Sequence, residues 1–117
     1  MMQLDDLTND AQYLLLNMYR EYLDRHNGGT SKFQARKFES ENEIRTNIMP
    51  QWSIEDVHDT IAELNTNGFV QAIPGNNIFV SVDLTTSSIA VMEQRFANNV
   101  DKILERLSKI KSLIPFI

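Results

Sequence analysis

Cysteine is absent from this 117-residue chain. A disulfide framework, a thiolate nucleophile and a zinc finger are excluded with it. The absence suits a reducing cytosol, so a cytoplasmic location is the expectation. No run of 18 apolar residues exists, so no segment is expected to span a membrane. The acidic opening MMQLDDLTND lacks an apolar stretch of signal-peptide length. Glycine and proline are scarce, at four and three, and most stand where a helix or strand is expected to stop. The most consequential lack is of positive charge: from Thr46 to Gln94, 49 residues, there is no Lys or Arg against six Asp and Glu. Residues 1–45 hold six basic and eight acidic side chains, and residues 95–117 hold five and two, for a net charge of −5.

The residues present describe one ordinary soluble domain. At 42% hydrophobic and 23% charged, the chain is typical of globular proteins, and its length supports a core without metal or disulfide staples. A first helix is expected from Thr8 or Asn9, both good N-caps. Ala11, Leu14, Leu15, Met18, Tyr22 and Leu23 give it one apolar face, and Asn27-Gly28-Gly29 ends it. Thr30 to Phe38 reads as a loop with a brief strand. Ser40-Glu41-Asn42-Glu43 is a capping box that opens a short second helix, closed before Pro50. Ser53 to Asp56 caps a third helix, with Trp52 and Val57 placed as a hydrophobic staple and Asn67-Gly68 as its stop. Phe69–Ile73 and Ile78–Val82 read as the strands of a hairpin, with Pro74-Gly75 suited to the centre of a type II turn. Leu84-Thr85 then caps a fourth helix expected to run unbroken from about Thr86 to Leu113.

The order of helix, brief strand, helix, helix and hairpin resembles the winged-helix superfamily. The resemblance is carried by Leu64-Asn65-Thr66-Asn67-Gly68-Phe69-Val70, similar to the family's entry into its wing. Phe79 to Thr85 is similar to the wing's return strand running into a Leu-Thr cap. Within the superfamily the chain looks most like small phage and prophage proteins of the YjcQ type. The resemblance implies an α+β, mostly α fold, with a winged-helix domain over residues 1–85. A C-terminal amphipathic helix over 86–117 would pack on that domain and complete a single structural unit. It also implies a phage or prophage setting, but no established activity.

DNA-binding members of the superfamily place the third helix in the major groove. Affinity there rests on Lys and Arg neutralising phosphates, and guanine is read chiefly by Arg or Lys. This third helix has no cation, and Glu55, Asp59 and Glu63 form an i, i+4, i+8 acidic row. The row is either a solvated helix face or a docking face for a cationic protein partner. DNA binding remains the fold-analogy alternative, with Lys32, Arg36, Lys37 and Arg45 around the second helix as the phosphate contacts it would use. An acidic mimic of DNA that inhibits a nucleic-acid enzyme is the third reading.

The fourth helix spaces Phe96, Val100, Ile103, Leu107, Ile110 and Ile114 in a 3–4 alternation, a short heptad seam. About 28 helical residues would extend roughly 42 Å, long for a domain whose radius of gyration is roughly 13 Å. A homodimer centred on Val100, Ile103, Leu107 and Ile110 is therefore expected. The apolar end, Leu113 to Ile117, should be tucked into a groove; membrane-surface contact through this helix is the lesser alternative.

Catalysis has little support. His58 beside Glu55 and Asp59 imitates a metal site, but no second histidine stands nearby. Gly28-Gly29-Thr30-Ser31-Lys32 lacks the spacing of a phosphate loop and follows a helix rather than a strand. No catalytic residues, metal or cofactor are expected, and the reading is of a protein that is not an enzyme.

Overall fold

Each of the six α-helices in the computed structural model, which describes residues 2–114, begins on a Ser, Thr or Asn whose side chain accepts a backbone N–H three residues on. Four of these caps are those read from the sequence. Thr8 accepts from Ala11 and opens α1, Asn9–Asn27. Ser40 opens α3, Glu41–Asn47. Ser53 opens α4, Ile54–Thr66. Thr85 opens α5, Thr86–Phe96. Each cap satisfies one of the donors that a helix start leaves orphaned.

The segment read as a loop with a brief strand holds one turn of helix besides the strand. Ser31 caps α2, Lys32–Ala35, and β1 is Lys37–Phe38. β2, Val70–Gly75, and β3, Ile78–Leu84, complete an antiparallel sheet of order β1-β3-β2. The register pairs Phe38 with Val82 and Ala72 with Val82, so one face of the sheet is apolar and buried. The molecule is thus α+β and mostly helical, and its element order is compatible with a winged-helix-like layout.

The hairpin turn is not the one expected. Pro74 and Gly75 continue β2, and the chain reverses at Asn76-Asn77, whose φ values are +54° and +67°. Two successive left-handed residues make a type I′ turn, whose twist matches that of paired strands, whereas a type II turn would splay them. Asn tolerates this backbone better than other residues with a side chain. Proline is accommodated because the register shifts between Ile73 and Pro74, leaving Val80 as the extra residue of β3.

The expected fourth helix is two helices. α5 stops at Phe96, and α6 starts at Val100 under an Asn99 cap. Between them the Asn99 N–H donates to the Phe96 carbonyl at 3.0 Å. Ala97, the first central residue of that turn, has φ +52° and ψ −130°. This is the type II′ geometry that selects glycine; for alanine it costs about 1–3 kcal/mol. The Tyr19 hydroxyl donates to the Ala97 carbonyl at 2.8 Å and fixes the turn against α1. Burial, followed by the charge of Glu93, pushes the Tyr19 phenol up to about 12, so it remains a donor at physiological pH.

The break returns α6 onto its own chain. Ile103, Leu107 and Ile110 are buried against the core that includes Leu14, Leu15 and Met18 of α1, while Val100 is half-buried. Three of the four residues expected as a dimer seam, Ile103, Leu107 and Ile110, therefore spend their apolar surface inside one chain, and the length argument for a projecting helix falls with the break. Arg106 of α6 completes the attachment. Its Nη2 donates to Asp5 Oδ1 and to Gln12 Oε1, both at 3.0 Å, and Arg95 reaches the same Asp5 oxygen at 3.0 Å. The Arg95 guanidinium, with Arg106 beside it, holds the Asp5 carboxyl below its ordinary value. Leu113 is exposed and Ile114 buried; the rest of the apolar end, from Pro115, lies outside the described residues.

Candidate interaction face between α4 and the hairpin

Glu41, the first residue of α3, is only 2% exposed. Its Oε1 accepts the Phe79 N–H at 2.7 Å and lies 2.7 Å from His58 Nδ1. With Oε1 already an acceptor, the imidazole is assigned its proton on Nδ1. The His58 ring stacks on Phe79 with centroids 4.6 Å apart. One carboxylate thereby ties α3, α4 and β3 together. A buried carboxylate is tolerated when charge-assisted hydrogen bonds replace its water. His58, considered with Glu55 and Asp59 as a metal imitation, is thus engaged with Glu41 instead, and the described residues contain no grouping of three or more metal-ligating side chains.

Beside this pin, α4 and the hairpin tip enclose a depression of about 310 Å³. The half-buried Ile54, His58 and Ile78 and the buried Glu41 line it, and the exposed Glu55, Asp59 and Asn77 stand at its rim. Glu55 and Asp59 are exposed and form no ion pair among the described residues.

The third member of the acidic row differs. Glu63 Oε2 accepts the Thr8 N–H at 2.8 Å, and Oε1 accepts the Thr8 hydroxyl at 2.7 Å. Its carboxylate caps the start of α1, so the free pair is Glu55 and Asp59. Two other polar residues of α4 are also committed. Thr60 is buried and donates to the Asp56 carbonyl at 2.7 Å. Asn65 Oδ1 accepts the Ala72 N–H of β2 at 3.0 Å.

The negative field extends beyond α4. Burial raises the Asp10 carboxyl, and the nearby charges of Asp56 and Glu63 raise it further. Asp10 belongs to α1, so the field crosses from one helix to the next.

The expected phosphate contacts divide. Arg36 and Lys37 flank the exposed ring of Phe33, with Arg36 Cζ 5.3 Å and Lys37 Nζ 4.5 Å from its centroid, and Lys32 opens the same short helix, α2. Arg36 donates to the Leu84 carbonyl at 3.1 Å, and Lys37 lies 3.5 Å from Asp83. Arg45 belongs to another contact: its Nε donates to the Trp52 carbonyl at 2.8 Å and bridges the turn into α4. The four cations therefore do not form one strip along α4 and the hairpin tip.

Sequence reasoning missed the Glu41 pin. Glu41 read as one letter of a capping box, and its partners stand 17 and 38 residues away. The box itself is half formed: Ser40 accepts the Glu43 N–H, while the Glu43 carboxylate accepts from Asn47. Comparison of the chain with family models, with curated proteins and with solved structures found no match.

Proposed function

We propose that this chain is a non-enzymatic winged-helix interaction protein, of the small phage and prophage YjcQ kind, that binds a basic segment of a protein partner on its α4–wing face. One observation carries the reading: Glu55 and Asp59 stand exposed, with no ion pair among the described residues, at the rim of a mostly apolar depression, on a stretch of 49 residues without Lys or Arg. A Lys or Arg side chain has the matching chemistry, an apolar stem for Ile54 and Ile78 and a charged head for the rim. Electrostatic complementarity of this kind contributes specificity and association rate more than raw affinity. The Glu41–His58–Phe79 contact supports the reading because it presets the angle between α4 and the hairpin. A preorganised face loses less freedom on binding.

The test uses defined probes. A fluorescent Arg- and Lys-rich peptide is titrated with wild type and with the double variant Glu55→Lys, Asp59→Lys, at low and at physiological salt. The expected result is saturable binding by wild type that weakens with salt, and at least a tenfold loss in the variant. Equal binding by the two proteins refutes the face.

A further inference from the structure

The chain breaks between α5 and α6 where its sequence has no breaker. Phe96-Ala97-Asn98-Asn99 contains neither glycine nor proline, yet Ala97 is held at φ +52° to make the turn. The apolar spacing runs across the break without interruption, through Ile89, Met92, Phe96, Val100, Ile103 and Leu107, all but the half-buried Val100 being buried. Such a pattern belongs to one continuous helix. A helix joining Thr86 to Lys111 would be about 39 Å long, more than the molecule's longest dimension of 36 Å. It would lift α6 off its own α1. The uncovered α1 face is then matched in shape and chemistry by one available surface, the α6 of a second copy that has opened in the same way.

We propose that the chain forms a domain-swapped dimer in which α5 and α6 join into one helix and each α6 packs on the other copy's α1. The packed interfaces are the same in both forms, so the hinge decides between them. Closing strains Ala97; joining the helices relieves that strain and sacrifices the Tyr19 bond to the Ala97 carbonyl and the Asn99 cap. A strained, short hinge is the setting in which exchange of an element between protomers is favoured. The basic-segment reading of the α4–wing face is independent of this exchange.

The chain has no cysteine, so introduced thiols report without background. Wild type, Ala97→Gly and Asn98→Ala/Asn99→Ala are refolded across a range of protein concentrations and their masses measured by light scattering. Glycine relaxes the closed turn and should reduce the dimer fraction at least tenfold; the two alanines favour the joined helix and should increase it. A bismaleimide then links Gln12→Cys to Arg106→Cys, positions that touch at 3.0 Å in the closed form, and should join two chains in the dimer fraction. Monomer mass at every concentration for wild type and the Asn98→Ala/Asn99→Ala variant overturns the proposal. So does a dimer whose link stays within one chain.

Discussion

Glu41 shows what one buried side chain does for the candidate face. Its carboxylate accepts from Phe79 and His58, and removing it leaves the part-buried Phe79 N–H without its partner. Such a loss costs about 1–3 kcal/mol. Glu41→Ala should lower the urea unfolding free energy by that amount, whereas Glu55→Ala, at an exposed site, should change it by no more than about 0.5 kcal/mol. Equal effects would deny Glu41 its role as a pin. Ala97 makes the opposite prediction. Glycine relieves the left-handed strain and surrenders some of the gain to greater unfolded-state freedom. Ala97→Gly should therefore stabilise the monomer by about 1 kcal/mol in the same assay, and a destabilised variant would refute the strain.

At the scale of the element, α6 turns from a projecting seam into part of the core. Ile103 is fully buried, and its truncation removes contacts that the surroundings refill only in part. Ile103→Ala should cost about 2–5 kcal/mol at any protein concentration dilute enough to remain monomeric; a loss below about 0.5 kcal/mol would place the side chain at the surface. The helix starts were legible because capping is local: the cap and the donor it satisfies lie three residues apart. The end of α5 was not, since the 3–4 spacing passes through Phe96 and Val100 and nothing in Ala97-Asn98-Asn99 forbids helix. The reason to turn is tertiary: the α1 surface that α6 covers and the Tyr19 hydroxyl that holds the Ala97 carbonyl. The hairpin was legible as a pair of strands, but its turn was not. Pro74-Gly75 is the louder local signal, and strand twist favoured Asn76-Asn77. In the candidate face, the acidic row could be read from spacing. That Glu63 caps α1 could not, because Thr8 lies 55 residues away.

Across the whole molecule, charge is organised by place. Acidic groups of α4 and the start of α1 share one field, and Asp10 registers it. Its carboxyl is raised by burial and by Asp56 and Glu63, so its ionised form destabilises the native state. That penalty is present above the raised native value. As pH falls, it fades through that value toward the ordinary one. Asp10→Asn should therefore raise the melting temperature slightly at pH 7, by an amount equivalent to a few tenths of a kcal/mol after solvent screening. The advantage should vanish near pH 3; an advantage that grows toward acid pH would reverse the assignment. The same field bears on nucleic acid. A duplex laid on α4 and the hairpin tip would meet Glu55 and Asp59 and no Lys or Arg from Thr46 to Gln94, while nonspecific binding depends on cations displacing counterions from phosphates. Titration of a labelled random duplex at low salt, followed by anisotropy, is the most direct measurement. The expected response is flat through about 10⁻⁵ M protein, within the range where nonspecific binders saturate. Saturation at about 10⁻⁶ M with a steep decline on adding salt would contradict it.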